Sequence, residues 1–246
     1  MANGAPIIRA GASLDAISKR VARVNQLPIF FEDWEDAFID YSKWYSVIAS
    51  SGTIDGSRSG GQAGLQAQAT LSTGATNGGS VFLATRKHVV SHKNGQAIDL
   101  SFVTKTVLEW QAVFTSVADI ENASFTMGFG SMADSGAGFT ATRTVDNMLG
   151  FELVSDVLRA YSDSGATETT SVLTTAPTLS NLNLYRIELN RINGARFFVN
   201  NVLQATISTN ITTIRSFAIN FYIKNDNAAN TILRLGNIRV YAEDVE

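Results

Sequence analysis

The chain has 246 residues and a formal net charge of −3, with 45% hydrophobic and 17% charged residues, three prolines against 19 glycines, and no cysteine. That balance supplies enough apolar material for a sizeable core. It offers no general attraction to nucleic acid or an anionic membrane, and it excludes a disulfide framework and thiolate chemistry.

Residues 1–28 come first and differ from the rest. Arg9, Lys19, Arg20 and Arg23 against Asp15 give this segment +3, which leaves −6 on the other 218 residues. Ser13 suits an N-cap, Asp15 suits a first helical turn, and a helix is expected over about residues 14–26. Leu14, Ile17, Val21 and Val24 recur at spacings of three, four and three, a narrow apolar stripe, while Lys19, Arg20 and Arg23 lie on the opposite side. So short a helix is marginal alone in water and needs a partner, whether its own body, sister subunits or another protein. Leu14, Ile17, Arg20, Val21, Arg23 and Val24 are therefore the expected partner-binding residues, with a homo-oligomer, first of all a trimer, as the assembly. No apolar h-region follows the first basic residue and no stretch approaches a membrane span. The expectation is a protein assembled in a cytoplasm, with no secretory signal and no membrane partner.

Residues 29–246 read as one all-β body. An aromatic stretch interrupted by acids opens it: Phe30, Phe31, Trp34, Phe38, Trp44 and Tyr45 among Glu32, Asp33, Glu35, Asp36 and Asp40. Asp33, Asp36 and Asp40 are the best metal candidates in the chain, since calcium takes several oxygen ligands from loop carboxylates. The plainer reading is a solvated acidic rim around a small aromatic cluster, and no other cofactor is expected. Residues 50–64 read as a loop by composition. His88 and His92 are the only histidines and are four apart. On a strand that spacing spans about 13 Å, too far for two ligands of one zinc ion, so a basic exposed rim with Arg86, Lys87 and Lys93 is the better account.

Farther along, Tyr185, Ile187 and Leu189 alternate with Arg186, Glu188 and Asn190. Phe217, Ile219, Phe221 and Ile223 alternate with Ala218, Asn220, Tyr222 and Lys224. This is the pattern of half-buried antiparallel strands. Asn193-Gly194 and Asn200-Asn201 fall where hairpin turns with positive φ are expected.

Three stretches resemble the concanavalin A-like lectin/glucanase superfamily. They are Leu184–Leu189 leading through Asn193-Gly194 to Arg196–Leu203, Phe125–Gly130 with Gly150-Phe151-Glu152, and the closing Leu235–Tyr241. The resemblance implies a two-sheet antiparallel jelly-roll sandwich, here preceded by a short helical arm. That sandwich also serves laminin-G and pentraxin-type modules and many phage particle proteins. Asn201 stands where the family often has Gly, a change Asn tolerates because it also visits the left-handed region.

Chemistry is sparse. The glucanase branch places two glutamates four apart on one strand, and no pair among Glu32, Glu35, Glu109, Glu121, Glu152, Glu168, Glu188, Glu243 and Glu246 has that spacing. A retaining pair needs carboxyls only about 5 Å apart and can come from separate strands, which leaves Glu152 and Glu188 as the pair to watch. The plainer reading makes both outward-facing strand residues. There is no G-x-S-x-G elbow, P-loop or dinucleotide fingerprint. Loops such as Asp134-Ser135-Gly136 and Asp163-Ser164-Gly165 are of a kind that contacts sugar.

The expectation drawn from the sequence is a non-catalytic structural component of a phage-type virion (capsid decoration, head fibre or tail-associated protein) anchored to other virion proteins by its arm. The alternative is a glycan-binding, receptor-binding module, and a glycoside hydrolase comes third.

Overall fold

Strict alternation of buried and half-buried residues runs through Asn183–Asn190, and in the computed structural model the strands form two layers facing one core. The structure describes residues 30–34, 39–41, 43–57, 67–85, 98–99, 105–115, 123–130, 148–154, 157–163, 167–190, 193–211 and 216–243. The expected helix over residues 14–26, with its six partner-binding residues, lies outside them, as do His88, His92 and the loop at Asp134.

Sixteen strands occur among the described residues, all paired antiparallel. The first sheet runs in the order β14 (Val202–Ile207), β13 (Gly194–Val199), β12 (Asn183–Asn190), β7 (Lys105–Phe114), β16 (Ile232–Glu243), β4 (Gln68–Ser72) and β3 (Thr53–Ser57), with β1 (Phe30–Glu32) also beside β16. The second runs β11 (Glu168–Val172), β10 (Val157–Asp163), β9 (Met148–Val154), β8 (Ala123–Gly130), β15 (Ser216–Asn225), β5 (Ser80–Thr85) and β2 (Trp44–Ala49), with β6 (Ile98–Asp99) beside β15. The chain crosses repeatedly between layers, as from β14 to β15 and back to β16, which gives a jelly roll.

The core is continuous and aromatic. Trp110 of β7 stacks on Tyr185 of β12 at 5.5 Å between ring centroids, and meets Phe151 and Phe221 of the second sheet edge-on at 5.9 and 6.0 Å. Trp34 and Trp44 stack at 5.2 Å and reach the same core through Phe221. Full burial raises the pKa of the Tyr185 hydroxyl far above its ordinary value.

The expected strands are present. Tyr185, Ile187 and Leu189 are buried while Arg186, Glu188 and Asn190 are half-buried on the outer side. Ile219, Phe221 and Ile223 belong to the core, with Asn220, Tyr222 and Lys224 outward. Asn200 and Asn201 hold φ of 51° and 66° in the β13–β14 turn, and Gly194 has φ 95°. The Asn-for-Gly departure is therefore accommodated in the left-handed region.

Within the loop expected over residues 50–64, Thr53–Ser57 form strand β3 instead, while residues 58–64 lie outside those described. β3 is an edge strand laddered on one side only, so Asp55 and Gly56 cost little there, and Ile54 packs against the core. The opening aromatic stretch also departs from a solvated rim. Glu32 is buried, accepting hydrogen bonds from the Trp44 indole Nε1 at 3.0 Å and the Trp34 backbone N at 3.3 Å, with Lys43 Nζ 3.7 Å away. Trp34 sits at φ 58°, costly for a bulky residue, and its indole donates to the Gly236 carbonyl at 2.8 Å, where β16 bulges. Glu32 thereby ties β1 of one sheet to β2 of the other.

Candidate functional site

Two surfaces stay outside the core, one on each sheet. On the first sheet, register places Arg196, Glu188, Val107 and Tyr241 in one row across β13, β12, β7 and β16. Phe198, Arg186, Glu109 and Arg239 form the next row. Opposite charges meet at Arg196–Glu188, Arg186–Glu109 and Glu109–Arg239. Glu188 accepts from Arg196 and lies 3.3 Å from Arg186 Nε, while both guanidinium groups cover the Phe198 ring, at 4.2 Å (Arg186) and 5.5 Å (Arg196) from its centroid. This is a solvated face whose charges satisfy one another.

The second sheet's outer face is built differently. One row reads Thr170, Tyr161, Gly150, Gly128, Asn220, Ala84 and Tyr45, across β11, β10, β9, β8, β15, β5 and β2. The next reads Val172, Arg159, Glu152, Thr126, Tyr222, Phe82 and Val47. Its centre is floored by small residues and flanked by tyrosines and polar groups, most of them buried: Tyr161, Glu152, Asn220, Ala84 and Phe82 are each under 4% exposed.

Gly128 and Gly150 lie opposite each other in β8 and β9. A Cβ on Gly128, whose φ is 155°, would stand 2.3 Å from the Leu149 carbonyl oxygen and 2.6 Å from the Gly150 Cα. One on Gly150 would stand 2.4 Å from the Met127 carbonyl oxygen. Glycine is required because the two backbones approach closely. The same requirement strips side chains from the middle of the face.

Three polar groups surround that floor. Glu152 has a fully buried side chain, and Arg159 Nε donates to its Oε1 at 2.5 Å. Arg159 Nη2 also lies 3.6 Å from Glu168 Oε1, so one guanidinium bridges two carboxylates. Burial raises the Tyr222 hydroxyl pKa. Asn220 is 2% exposed and its Oδ1 accepts no hydrogen bond. An orphaned buried acceptor costs about 1–3 kcal/mol unless a water or a ligand supplies the missing donor.

The pair Glu152 and Glu188 does not come together. Phe151 and Leu153 on either side of Glu152, and Ile187 and Leu189 on either side of Glu188, all point into the core. The two carboxylates therefore leave opposite outer faces of a sandwich whose sheets pack about 10 Å apart. Of the calcium candidates, Asp33 and Asp40 are described and Asp36 is not. Among the described residues no group of three or more acids or histidines converges as a metal site. The carboxylate nearest to them in function, Glu32, is committed to two tryptophans. Sequence reasoning missed Arg159, Asn220 and Glu168. Asn220 was placed on the correct strand face, but its missing partner is visible only once Gly128 and Ala84 are known to flank it.

Neither a protein-family model nor a curated protein matches the sequence. Solved structures do. A structure from work on endo-acting O-glycanases of the human gut microbiota superposes with a TM-score of 0.60 at 11% identity, covering 89% of this chain and 100% of that one. The carbohydrate recognition domain of Emp47p gives 0.58 at 10% identity, covering 88% and 96%. A GH16 protein of the Bacteroides ovatus mixed linkage glucan PUL, in complex with product, gives 0.57 at 10% identity, covering 86% and 99%.

The fold is a concanavalin A-like jelly roll. This jelly roll serves a glycoside hydrolase family and a carbohydrate recognition domain alike, so the architecture by itself assigns no activity.

Proposed function

We propose that this jelly roll is a non-catalytic glycan-binding module that takes its ligand on the outer face of the second sheet. The observation that carries the reading is the buried, unpartnered Asn220 Oδ1 beside the Gly128–Gly150 floor. A sugar hydroxyl is a donor of the right size to satisfy it, and the partly exposed Tyr222 and Tyr45 provide flat apolar bodies with polar tips. Similarity of fold to a carbohydrate recognition domain supports the same reading.

Absence of catalysis is argued from the carboxylates. Glycoside hydrolysis uses two, on either side of the scissile bond, with open space between. Here Glu152 and Glu168 share the Arg159 guanidinium, which fills the gap where substrate would lie. The test is a glycan array with the full-length chain, followed by titration and a reducing-end assay. Selective binding without turnover is expected; turnover of a bound polysaccharide, or no binding at all, contradicts the proposal.

A second reading rests on residues 1–28, whose basic charge and apolar stripe suit an anchoring segment. It makes the protein a virion component held by its arm as a homo-oligomer, with the sandwich presented outward to surface glycans. Deleting residues 1–28 is then expected to leave the sandwich folded while abolishing incorporation into a particle. Normal incorporation of the truncated chain removes this reading and leaves the first intact.

A further inference from the structure

We infer that the exposed turn at Asn77-Gly78 is a site of spontaneous covalent modification, where the asparagine loses ammonia and becomes aspartate or isoaspartate. Asn-Gly is the pair in which this chemistry is least hindered, because no side chain shields the following amide nitrogen. Four such pairs occur in the sequence, and Asn77-Gly78 and Asn193-Gly194 are the two among the described residues. The fold treats these two in opposite ways.

Asn77-Gly78 lies between β4 and β5, where the chain crosses from the first sheet to the second. Gly79 N donates to the Thr76 carbonyl at 2.9 Å, and Gly78 holds φ of 77° while Asn77 keeps a negative φ. This is a type II turn with glycine at its third position, and its hydrogen bond spans the central peptide without using it. Among the described residues neither Gly78 N nor the Asn77 side chain has a hydrogen-bond partner, and Asn77 is exposed. A Cβ placed on Gly78 would meet nothing within 4 Å, so the attacking nitrogen is open from that side as well. Only the flanks are fixed: Thr76 N donates to Ser51 Oγ at 3.3 Å and Asn225 N to the Gly79 carbonyl at 3.0 Å.

At the second pair the glycine is buried. Gly194 opens β13, laddered with Asn190 of β12, and its Cβ position lies 2.3 Å from the Ile207 carbonyl oxygen. Asn193 N donates to Asn190 Oδ1 at 3.1 Å. Bringing Gly194 N onto the Asn193 side chain requires this hairpin to open first.

The reaction at Asn77 consumes only water. Hydroxide takes the proton from Gly78 N, and that nitrogen attacks Asn77 Cγ, so that a new N–C bond closes a succinimide ring. The bond from Cγ to the side-chain nitrogen breaks, and the nitrogen leaves as ammonia after taking a proton from water, which restores the hydroxide. One water then opens the ring. Hydrolysis of the new N–Cγ bond gives aspartate, whereas hydrolysis at the main-chain carbonyl gives isoaspartate, with a backbone one methylene longer. Either product adds a negative charge to the connection between the sheets.

The experiment incubates the full-length protein in mildly alkaline buffer, native and in urea, and follows both sites by peptide mapping with mass spectrometry. In the native protein Asn77 is expected to convert at least ten-fold faster than Asn193, into a mixture of aspartate and isoaspartate. In urea, where neither turn persists, the two rates should come within about three-fold of each other. A native Asn77 that converts no faster than Asn193 overturns the inference. A ratio as large in urea as in the native protein overturns it too, since neighbours in sequence and not the fold would then set the rates.

Discussion

The outer face of the first sheet and that of the second arise from the same alternation of side chains, yet they solve the problem of facing outward in opposite ways. On the first, Arg186, Glu188, Arg196 and Glu109 form a ladder in which each charge meets its opposite and Phe198 shelters beneath two guanidinium groups. On the second, the middle is pared down to Gly128, Gly150 and Ala84, and polar groups are buried there, among them Asn220 with an unanswered acceptor. A face that needs only water spends its side chains on mutual satisfaction. One that leaves a buried acceptor open carries a cost that a ligand can remove.

Substitutions can break this contrast, and the largest effect is expected at the glycine floor. Gly128→Val forces a β-branched side chain into backbone at 2.3 Å. The loss should be about 4 kcal/mol or failure to fold. The matched change on the first sheet, Gln111→Val, should shift stability by no more than about 0.5 kcal/mol. Urea denaturation compares the two, and a Gly128→Val protein as stable as wild type would refute the close-approach account.

Next come the two glutamates once considered as a pair. Glu152→Ala strands Arg159 beside a buried hole and should cost about 3 kcal/mol. Glu188→Ala removes one member of a partly exposed network and should cost about 1 kcal/mol or less. Equal losses in denaturant midpoint would mean that the two faces are not as different as their burial suggests.

Much of this architecture was legible in the residues, and the part that was not has a physical reason. Strands at Tyr185–Leu189 and Ile219–Ile223 announce themselves because period-2 burial is local. The turn at Asn200-Asn201 does so because few residues hold positive φ. Strand Thr53–Ser57 was hidden by its Asp and Gly, since an edge strand draws its stability from β4 rather than from its own composition. Trp34 could not be placed either, as its left-handed backbone is held by a carbonyl 202 residues away. The site was harder still. Glu152 drew notice as one carboxylate of a catalytic pair, but its true partner, Arg159, emerges only from the β9–β10 register, and Asn220 is conspicuous only by what fails to bond to it.

The smallest effect on stability belongs to the most informative variant. Asn220→Ala removes a buried polar group that lacks a partner, so the melting temperature should hold or rise slightly. Its effect on ligand affinity is the direct test of the central claim. Isothermal titration of wild type, Asn220→Ala and Arg196→Ala with the tightest glycan from an array should show at least a ten-fold loss for Asn220→Ala and wild-type affinity for Arg196→Ala. Undiminished binding by Asn220→Ala, or a loss confined to Arg196→Ala, would place the ligand on the other face and contradict the account.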